Sequence, residues 1–353
     1  MTKVKQVKFN VEFEGHGIVN YDSKEQNYLW YLESNKNGNE NKFKSNNNNN
    51  MYAKKSYSSD ENDILNYKIK VSSGCVRNAI FKCDSIAINP SIAHHKVLLN
   101  SFIGSPLAII RGYLESEVES IKRKSALTIT SAVQTNNAVS NMEFCSRSGA
   151  KVSKKESGSA DNTIFNKETI GDITYEAKGF INIQELEFIC ADPIFDRCSF
   201  NSDDFEILKV FLSKNLPNFD SELGYYNLKT SYVDQAEYGI KLNNENIIFL
   251  IKETLKRILS VTVLRSGAYF KTKSLSIELV NDPFNSKNNI IIDINNYEDI
   301  DNLDFDIQEY YELSDESETK SNRTMIEERV KVEAERKRQE KINKTKGKTK
   351  KND

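Results

Sequence analysis

The sequence has no C-x-x-C pair, only three histidines, and no apolar run near the roughly 18 residues of a membrane-spanning helix. Each lack removes a class of protein. Zinc needs cysteine or histidine clustered at ligand spacing. The five cysteines (Cys75, Cys83, Cys145, Cys190, Cys198) are scattered, and the adjacent pair His94-His95 is not such a site. An odd cysteine count with no secretory leader argues for reduced thiols and a cytoplasmic protein, with no membrane contact expected. Glycine and proline are few, at 14 and 5, while Asn, Lys and Ile abound. That bias speaks of genome composition more than of function. Gly15-His16-Gly17 lacks the further glycines and the lysine of phosphate-binding loops. The residues imply no metal and no cofactor.

An excess of one charge is also missing, since the formal net charge is −2. The sum hides a segregation. Residues 288–319 hold eleven acids and no Lys or Arg, whereas 320–353 hold thirteen Lys or Arg against six acids. The body before them is nearly neutral. Such a body can still carry a basic groove, and only the groove matters for phosphate binding.

With 38% hydrophobic and 28% charged residues in 353, most of the chain should fold, as one large domain or two ordinary ones. Val7, Phe9, Val11 and Phe13 alternate with Lys8, Asn10 and Glu12, which predicts a half-buried strand ending at Gly15-His16-Gly17. Residues 34–50, closing on five asparagines, read as a mobile surface insertion. Tyr67-Lys68-Ile69-Lys70-Val71 is a second alternating run. At Ser72-Ser73 the period changes: Val76, Ala79, Ile80 and Cys83 share a helical face, with a serine placed to cap the first turn. The stretch 140–171 reads as a long loop or an extended hairpin projecting from the body. Strand character returns over 173–189, and helices are expected at 202–212 and 244–260. The second carries Ile247, Ile251, Leu255 and Ile258 as a stripe. Leu275, Ile277 and Leu279 alternate as a closing strand, and 290–294 is placed to pair with it. Beyond Asn295 no core pattern is visible, and 323–342 reads as a solvated, partly helical tail.

The expected fold class is therefore α+β. It follows the β-α-β-β-α-β plan of a ferredoxin-like sheet, which is also the RRM architecture, with long insertions and a disordered charged C-terminal tail. The palm is expected over 1–295, with insertions at about 20–66 and 140–172, an acidic segment at 296–319 and a basic one at 320–353.

The most informative string is Ser72-Ser73-Gly74-Cys75-Val76-Arg77-Asn78. It is a helix start with two hydroxyls and several backbone N–H groups, followed within a turn by Arg77 and Asn78. Helix N-termini hold phosphate oxygens through such donors and the helix dipole. A strand ending in Ser-Ser, then two residues, a hydrophobic position and a cation, resembles the first helix of the backbone subunits of Class 1 CRISPR complexes. These form the Cas-seven family of the RAMP superfamily. Further strings resemble the variant of the type I F-subtype: Gly15-His16-Gly17-Ile18-Val19-Asn20, Ile110-Arg111-Gly112-Tyr113-Leu114 and Lys122-Arg123-Lys124-Ser125-Ala126-Leu127. Ser148-Gly149-Ala150-Lys151, Thr169-Ile170-Gly171-Asp172-Ile173-Thr174-Tyr175-Glu176 and Phe195-Asp196-Arg197 follow in the family's order.

The resemblance implies an RRM-like palm with the insertion after the first strand as fingers and 140–171 as a thumb. Copies would stack head to tail along a guide RNA (crRNA), the thumb reaching over the neighbour's RNA and displacing a base at intervals. Other Cascade subunits, guide-end-capping and guide-processing, would join them, and the target nucleic acid would be DNA. Because guide sequence varies, the protein must hold sugar and phosphate and leave base edges free. The residues expected to contact RNA are His16, Asn20, Ser72, Ser73, Arg77, Asn78, Arg111, Lys122, Arg123, Lys124 and Ser125. Arg147 and Lys151 join them at the thumb base, with Arg265 and Ser266 before the last long strand. The run Lys122–Lys124 also reads as an ordinary solvated charge run. Two rivals stay open: a ribonuclease on the same fold using His16 as acid or base, and a protein–protein module.

Overall fold

Alternating polarity over residues 6 to 16 does most to organise the chain. In the computed structural model, residues 3–22, 51–57, 67–82, 94–116, 120–138, 140–149, 161–194, 196–230, 236–265, 267–281, 289–314, 332 and 336 are described; for 22, 57, 144–149 and 161–166 it describes backbone alone. The Asn-rich stretch 34–50 and the tail expected at 320–353 lie outside these residues, apart from 332 and 336. The chain divides into two compact units, each built from three segments. The first comprises Met1–Ser85, Leu127–Asn182 and Ile251–Asp306; the second comprises Ile86–Ala126, Ile183–Leu250 and Ile307–Asp353.

In the first unit nine strands make one antiparallel sheet among the described residues. They are β1 (Gln6–His16), β2 (Lys55–Tyr57), β3 (Tyr67–Val71), β4 (Leu127–Ile129), β5 (Ala132–Gln134), β6 (Asp172–Asn182), β7 (Thr262–Arg265), β8 (Ala268–Val280) and β9 (Ile290–Ile294). The order is β7-β8-β1-β6-β5-β3-β2, with β9 beside β8 and β4 beside β6. β1 is paired along its eleven residues on both sides, to β6 and to β8. Val7, Phe9, Val11 and Phe13 are buried as their alternation predicts, and Phe13 stacks on Phe270 with centroids 4.4 Å apart. Across the register Gly179 opposes Phe9. A Cβ at Gly179 would lie 2.3 Å from both Phe9 Cζ and the Thr128 carbonyl oxygen, so only glycine lets β4 and β1 approach β6 here. A hairpin of Ser140–Gly149 and Asp161–Ile170 forms a separate two-stranded sheet, the hairpin alternative expected for this stretch.

β3 runs into the helix Ser73–Ile80, which buries Val76 and Ile80. In the long helix Asn244–Leu259, Ile247, Ile251, Leu255 and Ile258 are all buried, as their spacing predicts. Lys252 and Lys256 lie off that stripe and bind the Asp301 carbonyl and carboxylate, each at 2.7 Å.

The second unit holds helices Lys96–Ile103, Pro106–Arg111 and Phe205–Asn215, a ribbon of Tyr113–Glu115 with Ile121–Arg123, and a four-stranded sheet. The sheet order is Phe188–Cys190, Glu237–Lys241, Leu223–Leu228, Tyr311–Leu313. The last strand is held by Phe188, whose ring stacks on Tyr311 at 4.6 Å, and by the fully buried Glu187, which accepts the Tyr310 and Tyr311 N–H groups at 2.7 and 3.1 Å. Burial pushes the Glu187 carboxyl above the usual carboxylate range. Arg123 is also buried, and its guanidinium donates to the carbonyls of Ile109 (3.0 Å), Phe188 (3.0 Å) and Glu185 (2.6 Å). One side chain thereby stitches the helix Pro106–Arg111 to the segment 185–188.

Several elements depart from expectation. The strand character read over 173–189 is broken by a short helix, Ile183–Glu187, where the chain passes from β6 to Phe188–Cys190. Residues beyond Asn295 do carry a core pattern: Ile300, Leu303, Phe305, Ile307 and Tyr311 are buried. Exposed Asp304 and Asp306 alternate with three of them, a period-two pattern that the density of acids obscures.

Two substitutions check this packing through urea unfolding. Gly179→Val should destabilise the protein by about 3 kcal/mol, because neither Thr128 backbone nor the Phe9 ring can yield. Arg123→Met should cost about 3 kcal/mol by leaving the buried carbonyls of Ile109 and Phe188, and the half-buried one of Glu185, without their donor. A midpoint unchanged in either variant would contradict the packing described.

Candidate nucleic-acid interface

β3 ends at Val71, and Ser72 follows with extended backbone (φ −60°, ψ 148°). Its carbonyl accepts the Val76 N–H at 3.0 Å, which opens the helix. Its hydroxyl does not cap, contrary to expectation: the Asn20 side-chain amide donates to it at 2.9 Å instead. The first helical N–H, of Ser73, donates to Ser131 Oγ at 3.2 Å. Ser73, Gly74 and Asn78 are exposed, Arg77 is half-buried, and no heavy atom lies within 4 Å of a Cβ built on Gly74. The first turn is open to solvent.

Asn20 comes from the segment after β1, where Gly15-His16-Gly17 brings the backbone against the β7–β8 turn. A Cβ on Gly15 would meet the Tyr269 carbonyl oxygen at 2.8 Å. Gly17, at φ +68°, would meet the Gly267 oxygen at 2.7 Å. These glycines serve close approach of two backbones. His16 between them is half-exposed and fixed: its Nδ1 lies 2.9 Å from Asp172 Oδ1, and its ring lies parallel to Tyr269. Arg265, at the end of β7 and exposed, faces Ala268 across the turn.

Strings far apart in sequence thus meet: 15–17, 169–173 and the 265–268 turn lie together at one end of the first unit's sheet, and 72–78, which starts beyond the opposite end of β3, is joined to them through the Asn20–Ser72 hydrogen bond. His16, Asn20, Ser72, Ser73, Arg77, Asn78 and Arg265 all belong to them. Arg147 falls on the backbone of the strand Ser140–Gly149. Lys151 and Ser266, and the side chain of Arg147, lie outside the described residues. Asp172 and Ser131 were not foreseen. Asp172 sits within a string already singled out, opposite His16 in the β1–β6 register; Ser131 gave no signal.

The remaining candidates lie in the second unit and differ in what holds them. Arg123 is a correction: its buried guanidinium is occupied by three carbonyls, so it builds the fold and is not presented to phosphate. Ser125 donates its hydroxyl to the Ile110 carbonyl at 3.2 Å. Lys122 pairs with Asp196, and Lys124 lies 3.1 Å from Glu185 Oε1 with its side chain 75% exposed. Such surface pairs contribute at most about 1 kcal/mol, so both ammonium groups remain able to exchange a carboxylate for a phosphate. Arg111, half-exposed, ends the helix Pro106–Arg111. A cleft of about 660 Å³ opens beside Lys122, lined also by Asp196, Cys198, Asn201 and Ser202.

Among the described residues no group of His, Cys, Asp or Glu is placed to hold a metal ion, and no helix is long and apolar enough to cross a membrane.

None of the curated proteins matches the chain. Two solved structures align over 77% of it: a CRISPR RNA-guided surveillance complex (11% identity, 68% of that chain, TM-score 0.34) and a CRISPR RNA-guided surveillance complex, pre-nicking (10% identity, 75% of that chain, TM-score 0.36). At those scores the likeness carries no argument. The family of type I-Fv CRISPR-associated proteins described as Cas7fv-like matches residues 3–313, from before β1 to the strand Tyr311–Leu313. The chain belongs to the Cas7fv-like family of type I-Fv CRISPR-associated proteins.

Proposed function

We propose that this chain is the crRNA-binding backbone subunit of a CRISPR surveillance (Cascade) complex. It oligomerises head to tail along the guide, holds the sugar-phosphate chain and leaves the bases free to pair with a target, DNA in the type I setting. Membership of the Cas7fv-like family over residues 3–313 carries this reading. Its partners are crRNA, further copies of itself, and the guide-end-capping and guide-processing subunits, in the cytoplasm.

Sheet order supports an RRM-type palm. Counting β1, β4–β5, β6 and β8 as the four strands of β-α-β-β-α-β, they lie in the order fourth, first, third, second, with all neighbours antiparallel. The helix Ser73–Ile80 follows the first strand and Asn244–Leu259 precedes the last. The hairpin is then the thumb, and the chain between β1 and β3 the fingers. Unlike the stacking platform of a sequence-reading RRM, the polar face of β1 carries Lys8, Asn10, Glu12 and Glu14. That favours RNA held by the helix-entry turn with Arg77, and by His16 and Arg265 at the sheet's end, with contacts to phosphate and ribose alone. Such contacts accept any guide sequence.

A ribonuclease remains the second reading, and one observation favours it: His16 is oriented by Asp172, as a general acid or base would be. Both groups stand in open solvent, with side chains 49% and 88% exposed, which suits a phosphate contact better than proton transfer.

Binding of fluorescent single-stranded RNAs of unrelated sequence tests the proposal. Affinities should agree across sequences and fall with salt at a log–log slope of about −0.7 per phosphate contact; Arg77→Ala or Arg265→Ala should each flatten the slope by about 0.7. Strong preference for one sequence, or no salt dependence, would refute it. Labelled RNA should stay intact with both wild type and His16→Ala. Cleavage lost in His16→Ala would establish the ribonuclease instead.

A further inference from the structure

The hairpin and the ribbon of Tyr21–Asp22 with Tyr52–Ala53 stand outside the main sheet, each as its own two-stranded sheet. Their roots meet. Met51 bridges to Lys167, and the Glu168 N–H donates to the Met51 carbonyl at 2.9 Å. The Glu168 side chain is turned inward and is only 2% exposed. Its Oε2 accepts the Ala53 N–H at 2.9 Å, and its Oε1 lies 3.3 Å from Lys55 Nζ, on a side chain only 11% exposed. That ammonium also sits 4.4 Å from the ring centroid of Tyr67. The Tyr67 hydroxyl is 3.2 Å from Oγ of Ser140, the hairpin's first residue. Within the hairpin, Ser140 opposes Ile170 and Met142 opposes Glu168.

These contacts close a ring. It runs from the hairpin's first strand through Tyr67 and Lys55 to Glu168 on the second strand. Burying an ion pair loses hydration that its attraction barely repays, so such a pair is weak evidence for stability. It is directional, however: the carboxylate has one orientation that serves both Lys55 and the Ala53 amide. An apolar contact would let the hairpin pivot, whereas this ring sets its inclination. Tyr67 begins β3, and β3 runs straight into Ser72 and the open helix turn. The hairpin's root and the candidate phosphate-binding turn therefore share one strand.

We propose that Lys55, Glu168 and Tyr67 form a clamp that fixes the hairpin's inclination relative to the helix entry, and with it the number of RNA nucleotides each copy covers. They are positioning residues, acting through the hairpin. The inference rests on the RNA-scaffold reading above.

The test uses the full chain with Glu168→Gln, Lys55→Met and the conservative Lys55→Arg. Glu168→Gln keeps an oxygen for the Ala53 amide and removes the charge. Hydrogen exchange on the RNA-free protein should show the Ala53 and Glu168 amides exchanging about tenfold faster in the first two variants, with β1 unchanged. Nuclease protection of a long RNA should then lose the fixed length step per added copy, while affinity for a short RNA changes less than about threefold. Lys55→Arg should retain the step. An unchanged step despite a loosened root overturns the proposal, as does a root that does not loosen. Where β1 protection shows that Glu168→Gln or Lys55→Met has not folded, Tyr67→Phe, lacking only the hydroxyl, carries the same two readouts. If the unaltered protein protects no RNA, the scaffold reading fails and this inference with it, whatever the exchange shows.

Discussion

Pairing of β1 on both sides constrains everything built at the end of the first unit's sheet. All eleven residues pair with β6 and with β8, the latter through a bulge between Glu12 and Phe13, and a one-residue slip would turn Val7, Phe9, Val11 and Phe13 to solvent. Where the strand stops is thereby fixed. It stops at two glycines pressed against the β7–β8 turn, with His16 held over Asp172 and Tyr269. From there the chain needs only four residues to bring Asn20 to the Ser72 hydroxyl. The helix entry, the turn at Arg265 and the hairpin's root thus take their places from this strand.

Electrostatics follows the same logic at a finer scale. Net charge near zero says little about a nucleic-acid protein, because the charges are used singly. Lys252 and Lys256 bind Asp301, Lys271 pairs with Glu14, Lys273 with Glu12, and Lys55 is buried against Glu168. Many cations of the first unit are thereby committed within it, and the face of β1 and β8 that carries Lys271, Lys273, Glu12 and Glu14 is mixed in sign. A surface of that kind does not attract phosphate over its whole area. It leaves phosphate to a few exposed donors, which fits the proposed role of holding any guide sequence equally.

Much of this was legible in the sequence, and the rest was hidden for physical reasons. Period-two runs announced β1, β3 and β8, and the i, i+3, i+4 pattern announced Ser73–Ile80 and Asn244–Leu259, because each turns a regular apolar face to the core; the apolar run at 290–294 was placed beside β8, where it pairs as β9. Arg123 was misread because a buried arginine and a solvated one look alike inside Lys122-Arg123-Lys124; only the three carbonyls around it distinguish them. The core residues at 300–311 were missed because acids count as solvent signals even when they alternate with apolar positions. The Ser72 hydroxyl was read as a cap because the sequence cannot show that Asn20, 52 positions away, reaches it first. The Lys55–Glu168 clamp joins residues 113 apart by side chains with no motif, so no pattern announces it.

The most direct test of the central claim is the mass of particles formed by the full chain on RNAs of increasing length, before and after ribonuclease. The account predicts mass rising in steps of one chain per fixed increment of RNA, and particles that fall apart when the RNA is digested. A single mass independent of RNA length at low salt, or particles indifferent to ribonuclease, would contradict it.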